Sequence, residues 1–200
     1  MKKILHIISS PRGDASYSIR LGNAIIDKIQ LAYADSTVKE VSLVEERFPH
    51  LEEAHLNAFF TPAANRTPEN LVAIKHSDEA IAEIMDADII VLGVPLYNFG
   101  IPSNLKAWID HISRAGVTFK YDENGPEGLI KNKKLYIAFS AGGIYTDSPM
   151  ASYDTATPYL KSVFGFLGIT DVTVVRVEGT SVPGVQDNAL AKGIESIVIN

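Results

Sequence analysis

The chain has 200 residues, of which 46% are hydrophobic and 21% charged, proportions that suit one domain with a buried core. It contains no cysteine, which excludes disulfides, zinc thiolate sites, iron–sulfur clusters and thiol nucleophiles, so redox chemistry would need a bound cofactor. The net charge of −6 argues against a general polyanion-binding surface, and we expect no nucleic-acid partner.

The apolar segments are too short to form a secretory signal or a membrane-spanning helix. The run at residues 4–8 turns polar from Ser9 onward before a secretory signal could be completed. The longest run, at residues 89–94, falls far below the roughly 20 residues that span a bilayer. We therefore expect a cytoplasmic protein with no membrane partner.

The first part of the chain reads as strand, loop, helix and strand. Residues 2–9 predict a buried strand, and the polar turn at 10–16 leads into a helix whose apolar positions recur near a spacing of 3.6, with Ser16 or Asp14 as its N-cap. A second strand is predicted at 38–43. Residues 44–67 show little periodicity and predict an irregular excursion with one helical turn.

The middle of the chain repeats this alternation. Thr67-Pro68-Glu69 predicts the start of a helix that runs to about Met85, and the continuously apolar residues 88–94 predict a parallel strand buried on both faces. After a loop at 95–102, Ser103 is predicted to cap a helix that ends near Gly116. Residues 117–130 predict a second irregular excursion, with a turn at Asn124-Gly125.

The last part adds a strand at 135–140, a helix from Thr157 to about Leu167, a strand at 172–177 and a helix at 186–199. Strands alternating with helices predict an α/β fold. We expect a single domain over residues 1–200, a doubly wound five-stranded parallel sheet of order 2-1-3-4-5 with helices on both faces.

Three loops follow the strands at the expected switch point of this sheet, where doubly wound proteins bind ligands. The first contains Ser9, Ser10, Ser16 and Ser18 before a helix N-terminus, a combination that favours a phosphate site. The sequence contains neither GxGxxG nor GxxxxGK[ST], which argues against a Rossmann NAD site or an ATPase. The alternative is that these serines only cap the helix.

The other two loops favour a flat heteroaromatic ring. Tyr97 and Phe99 offer aromatic surface and Asn98 an amide, although both rings could instead cap the core. Gly142 and Gly143 lack side chains, so their backbone amides could approach a ligand closely.

Two other chemistries have weak support. The stretch from His50 to His55 contains two acids, but HLEEAH is not HExxH and offers no third ligand at a recognisable spacing, so we predict no metal. A serine hydrolase would want GxSxG, which the sequence lacks.

The sequence resembles the FMN-dependent NADH azoreductases, which are also NADH:quinone oxidoreductases. The matching stretches, which occur in the order of the family and cover nearly the whole chain, are PLYNFGIPSNLKAWID (95–110), RAGVTFKYDENGPEGL (114–129), SAGGI (140–144) and TPYLKSVFGFLGITD (157–171).

The resemblance implies that FMN occupies the three loops, without a catalytic protein side chain. The implied FMN contacts are Ser10, Ser16, Tyr17 and Ser18 for the phosphate and ribityl chain, Leu96, Tyr97, Asn98 and Phe99 for the ring, and Ser140, Ala141, Gly142 and Gly143 for its pyrimidine side. The family often has Met in place of Leu96, Arg or Gln in place of Ala141, and His in place of Tyr145. With alanine at 141 the implied contact there is through the backbone, and tyrosine at 145 implies a different substrate wall.

The activity implied is ping-pong hydride transfer from NADH, or NADPH, through FMN to quinones and aromatic azo compounds, with protection against electrophilic quinones as its purpose. Aromatic residues of the two excursions would wall the substrate cavity. The implied substrate contacts are Phe60, Tyr121, Tyr145 and Phe166. The rival readings are an electron-carrier flavodoxin and a flavin-free interaction domain.

A homodimer is also expected. Phe164, Phe166 and Leu167 crowd more apolar surface into residues 163–168 than one helix face needs to bury, which favours a partner surface over the alternative that both phenylalanines lie in the core. In the relatives, an aromatic residue at the position of Phe166 reaches the substrate cavity of the other subunit.

Overall fold

The computed structural model describes residues 1–199 and has a doubly wound α/β architecture. The strands are β1 Lys3–Ile8, β2 Thr37–Ser42, β3 Ile89–Pro95, β4 Phe119–Asp122, β5 Gly125–Gly128, β6 Lys134–Ser140 and β7 Asp171–Val177. The helices are α1 Tyr17–Ala32, α2 Glu53–Phe60, α3 Pro68–Asp86, α4 Ser103–Ile112, α5 Ala156–Leu167 and α6 Gln186–Glu195.

The central sheet is parallel and has the order β2-β1-β3-β6-β7. Because β4 and β5 form a separate antiparallel hairpin, this order is the predicted 2-1-3-4-5, and the predicted fold class is confirmed. All seven residues of β3 are buried, as its continuous apolar run predicted. Helices α1 and α6 cover one face, while α3, α4 and α5 cover the other.

Both predicted excursions contain regular structure. Residues 53–60 form α2, longer than the predicted single turn, because a reciprocal cap starts it: the backbone N–H of Glu52 donates to Nδ1 of His55 at 3.0 Å. Residues 119–128 form the β4–β5 hairpin, with its turn near Asn124 as predicted. Short, largely exposed elements such as these leave little hydrophobic periodicity in the sequence.

Of the two predicted N-caps of α1, Ser16 is the one that forms, and its hydroxyl accepts a hydrogen bond from the backbone N–H of Ile19 at 3.4 Å. Other helix boundaries differ from prediction. The prediction that Ser103 caps α4 is wrong, since it is the first residue of that helix and follows Pro102. Helix α4 ends at Ile112, before the predicted Gly116, and α6 ends at Glu195, before the predicted residue 199.

The hairpin packs against the carboxyl end of α5. The ring of Phe119 lies 4.7 Å from that of Phe166, and the backbone N–H of Ile130 donates to the carbonyl of Leu167 at 2.9 Å. Phe164 and Leu167 are fully buried in the core. The predicted exposed patch at 163–168 is therefore wrong, because its side chains divide between the core and a hairpin that the sequence did not reveal.

None of the helices within residues 1–199 combines the length and the apolar character needed to cross a lipid bilayer.

Candidate functional site

The three predicted loops meet at the carboxyl ends of β1, β3 and β6. They surround a small pocket of about 70 Å³. Its lining residues are Ser10, Arg12, Ser16, Tyr17, Pro95, Leu96, Tyr97, Ser140, Ala141, Gly142 and Thr180. The fold thus brings together residues from all three parts of the predicted cofactor site, with the remaining predicted contacts nearby in the same loops.

The serine loop, residues 9–18, leads into the N-terminus of α1. The hydroxyl of Ser18 is fully buried and lies 3.1 Å from that of Ser16, while the Ser9 hydroxyl donates to the carbonyl of Gly93 at 2.6 Å and ties the loop to β3. The first-turn amides of a helix have no intrahelical partner, and this 16-residue helix directs its positive end at the pocket. Ser16 is a helix cap, and its setting also suits a phosphate.

The second loop, residues 95–100, contains a tight turn at residues 97–100, here called the aromatic turn. Tyr97 and Gly100 exchange two backbone hydrogen bonds of 3.0 Å, and the residues between them, Asn98 and Phe99, both have left-handed backbones with φ of 49° and 68°. Tyr97 is 37% and Phe99 44% exposed. The alternative in which both rings cap the core is therefore wrong, since each ring keeps much of its surface available.

The turn is held from the segment before α5. The hydroxyl of Thr155 donates to the carbonyl of Phe99 at 2.6 Å, and the backbone N–H of Thr155 donates to the same oxygen at 3.2 Å. The Phe99 ring also packs on the ring of Tyr153 at 5.1 Å. A left-handed residue other than glycine needs such support, because its conformation carries a steric cost.

The glycine loop, residues 140–145, is fixed by the residues that follow β7. Gly143 accepts a hydrogen bond from the N–H of Gly179 at 2.8 Å, and Gly142 accepts one from the N–H of Ser181 at 3.0 Å. A β-carbon on Gly142 would lie 3.1 Å from the hydroxyl oxygen of Ser181, and one on Gly143 would lie 3.3 Å from the ring of Tyr145. Local packing as well as ligand access therefore favours glycine here.

Comparisons with known proteins agree with this arrangement. Residues 2–198 match a family model described as the flavodoxin-like fold. An FMN-dependent NADH:quinone oxidoreductase of Aromatoleum aromaticum is 52% identical over 176 residues, which cover 88% of this chain and 87% of the relative. One from Herminiimonas arsenicoxydans is 46% identical over 198 residues, covering 98% of this chain and 97% of the relative. The chain belongs to the family of FMN-dependent NADH:quinone oxidoreductases, which has the flavodoxin-like fold. The resemblance seen in its sequence is confirmed.

Solved structures of the family superimpose closely. The azoreductase of Bacillus anthracis has a TM-score of 0.90 and 32% identity, covering 98% of this chain and 96% of its own. An FMN-dependent NADH-azoreductase from the same species, in complex with FMN, has a TM-score of 0.85 and 32% identity, covering 98% of this chain and 97% of its own.

A larger cleft of about 740 Å³ adjoins the aromatic turn. Its lining residues are Ser9, Pro11, Leu43, Val44, Arg47, Tyr97, Asn98, Gly100, Ile101, Pro102, Ser103 and Asn104. Arg47 is the one charged residue among the described residues that line this cleft, and Arg12 is the one charged residue among those that line the small pocket. Sequence reasoning missed both arginines. Arg12 could have been found, since it lies inside the serine loop, whereas Arg47 lies in an excursion without a recognisable pattern.

The four predicted substrate contacts do not gather at these loops. Tyr145 lies beside Gly143, but Phe60 is 77% exposed at the end of α2. Tyr121 and Phe166 pack together with Phe119, with centroid separations between 4.7 and 6.4 Å.

Two of the four lie at the opposite end of the sheet from the loops. Tyr121 belongs to the β4–β5 hairpin, and Gly128 of this hairpin contacts Gly168. Gly168 in turn lines a surface pocket with residues at the amino ends of the parallel strands, namely Lys2, Asp88 and Lys134. Within one chain, Tyr121 and Phe166 therefore contribute nothing to the pocket at the carboxyl ends.

Proposed function

We propose that this protein is an FMN-dependent NADH:quinone oxidoreductase that also cleaves aromatic azo compounds to amines. The observation that carries the proposal is the meeting of the serine, aromatic and glycine loops at one pocket, in a chain of the family described above. Two-electron reduction of quinones, as a protection against these electrophiles, is the role we infer.

The serine loop suits a single phosphate. Ser10, Ser16 and Tyr17 line the pocket beside the positive end of α1 and can donate hydroxyl and backbone hydrogen bonds to a phosphate monoester. FMN carries one phosphate, whereas FAD carries a pyrophosphate, for which the sequence has no glycine fingerprint. The chain therefore favours FMN over FAD.

The other two loops suit a flavin ring. The turn around Asn98 leaves the Tyr97 and Phe99 rings exposed beside a cleft, and Leu96 adds apolar surface at the pocket. Backbone N–H groups of Gly142 and Gly143 are suited to stabilise negative charge on the ring by preorganised hydrogen bonds. The predicted contact of Ala141 would be through its backbone, because its methyl group packs in the hydrophobic core.

When bound, FMN would supply hydride transfer from NADH, or from NADPH, to the acceptor, with one cycle needed for a quinone and two for an azo bond. The protein's part is to hold and orient the rings, and no side-chain nucleophile is required. The cleft beside Tyr97 and Asn98 is available to both donor and acceptor, and we propose that they occupy it in turn in a ping-pong cycle.

We further propose that the working unit is a homodimer. Tyr121 and Phe166 lie at the amino end of the sheet, so they can wall a substrate site only if that site belongs to a second copy of the chain. Tyr121 is 69% exposed, as this role requires. Phe60, also highly exposed, is available for the same wall.

The test is to release the cofactor from the purified protein by denaturation, identify it by mass spectrometry, and assay the intact protein. We expect FMN, and oxidation of NADH that depends on a quinone or an azo dye. Predominant FAD would contradict the phosphate assignment. FMN binding without NADH oxidation would instead indicate an electron carrier, and a protein without flavin would indicate an interaction domain.

A further inference from the structure

A partly buried ionic cluster connects two of the three loops. Arg176 of β7 places its guanidinium 4.6 Å from the centroid of the Phe139 ring. One terminal nitrogen donates to Asp154 at 2.8 Å, and the other donates to Glu178 at 2.8 Å. The two carboxylates are largely buried, so the arginine is their common counter-charge in a setting where an unpaired charge would be costly.

The Asp154 branch leads to the aromatic turn. Asp154 accepts hydrogen bonds from the backbone N–H of Thr157 at 3.0 Å and from its hydroxyl at 2.5 Å, which fixes the chain at the start of α5. The next residue, Thr155, makes both of the hydrogen bonds that hold the carbonyl of Phe99. Arg176 is thus connected to the left-handed turn through one carboxylate and one adjacent residue.

Asp154 is suited to remain ionised in this position. Burial by itself would raise the pKa of Asp154, but hydrogen bonds from Thr157 and Arg176 outweigh burial and lower the pKa below its ordinary value. The contact with Arg176 is therefore ionic at neutral pH.

The Glu178 branch leads to the glycine loop. The second carboxylate oxygen of Glu178 accepts a hydrogen bond from the backbone N–H of Thr146 at 3.1 Å. The residue after it, Gly179, donates its N–H to the carbonyl of Gly143 at 2.8 Å. The middle of the glycine loop and the residue that follows it are therefore held from the same glutamate and its neighbour.

We propose that Arg176 is a positioning residue that holds the aromatic turn and the glycine loop in a fixed relation, and thereby sets how tightly the proposed FMN ring is held and how readily it is reduced. This inference rests on the proposed function. An arginine suits the role because its planar fork can donate to two carboxylates at once, whereas a lysine presents a single point charge.

The first experiment compares Arg176→Met with Arg114→Met in the FMN-loaded protein. Arg114 is the control: it is more deeply buried than Arg176, likewise pairs with a carboxylate, that of Asp78, and packs over the Phe59 ring at 4.9 Å, but it lies beyond the far end of α4 from the aromatic turn. Both variants should lose thermal stability. Only Arg176→Met should weaken FMN binding, by about tenfold, and shift the midpoint potential and the visible circular dichroism of the flavin.

Two further variants keep the test decisive if Arg176→Met folds poorly. Asp154→Asn keeps the size of the side chain, and Thr155→Val replaces the hydroxyl with a methyl group of similar size. Each should move the potential and the dichroism in the same direction as Arg176→Met. Unchanged potential and dichroism in Asp154→Asn and Thr155→Val, or in a folded Arg176→Met, would show that the cluster serves stability alone and would overturn the proposal.

Hydrogen exchange of the protein stripped of cofactor separates this inference from the proposed function. The amides of Gly100 and Thr146, which report on the two loops, should exchange faster in Arg176→Met than in Arg114→Met. If the wild type binds no FMN, the proposed function fails while this comparison still tests the connection. Equal exchange in both variants would overturn the connection itself.

Discussion

Gly128 of the hairpin lies so close to Gly168 that a β-carbon on Gly128 would overlap the Gly168 nitrogen. Gly128→Ala should therefore destabilise the protein by about 1–3 kcal/mol or more, because backbone cannot move aside as a flexible side chain can. Gly165→Ala is the control, since a β-carbon there meets nothing within 4 Å and a helix favours alanine by about 0.5–1 kcal/mol. Urea unfolding measures both, and equal stability of the two variants would contradict the close packing.

The serine loop can be tested by removing two hydroxyl groups. Ser10→Ala combined with Ser18→Ala should weaken FMN retention. Loss of the Ser10 hydroxyl removes a hydrogen bond to a charged phosphate, worth about 1.5–3 kcal/mol. Loss of the Ser18 hydroxyl removes the buried partner that lies 3.1 Å from the hydroxyl of Ser16. Ser113→Ala is the control. It removes a hydroxyl that donates to the carbonyl of Ile109 at the carboxyl end of α4, away from the three loops, and should leave FMN affinity unchanged. Equal affinity in all three proteins, measured by flavin fluorescence titration, would count against the phosphate assignment.

Buried histidines predict loss of stability in acid. His111 is fully buried, and its Nε2 lies 2.9 Å from the carbonyl of Pro49. Burial lowers the pKa of His111 below its ordinary value of 6.5, and repulsion from His55 and His76 lowers it further, against the hydrogen bond to Pro49, which raises it. The unfolded chain therefore takes up a proton at His111 at a higher pH than the folded chain does.

The free energy of unfolding should accordingly decrease as the pH falls from about 7 to 5, with a slope of up to about 1.4 kcal/mol per pH unit from this residue. His111→Gln, which keeps a donor for Pro49, should reduce that slope, whereas the exposed His50→Gln should not. Urea unfolding across this pH range is the measurement. An unchanged slope in His111→Gln would show that His111 titrates alike in both states.

The dimer can be tested through the aromatic residue at the amino end of the sheet. Phe166→Ala should alter the kcat and KM for quinone while FMN stays bound, because Phe166 would contact substrate in a second copy and lies far from the serine loop. Sedimentation at the assay concentration, combined with turnover, is the measurement. A monomer with full activity would refute the shared site.

The sequence was most informative where a local pattern and the fold coincide. The apolar run of β3 and the cap at Ser16 are read from neighbouring residues, and parallel topology then brings residues 9–18, 95–100 and 140–145 to one edge. The central sheet and the meeting of the loops could therefore be predicted from the sequence alone.

Long-range polar contacts could not be predicted in this way. Arg176 and Asp154 are separated by 22 positions, and neither belongs to a motif. The length of helix α2 was underestimated because its capping box pairs Glu52 with His55, where the usual pattern has Ser or Thr followed by Glu or Gln. The misplaced exposed patch at Phe164 had the same origin, since burial in this region depends on packing between elements distant in sequence.

The most direct test of the central claim is to follow flavin absorbance under anaerobic conditions in rapid mixing, first with NADH alone and then with quinone. The account predicts that NADH bleaches the flavin in the absence of acceptor, and that quinone added after the nicotinamide has left restores the oxidised spectrum. A flavin that NADH cannot reduce, but that one-electron donors bleach readily, would contradict it and identify an electron carrier instead.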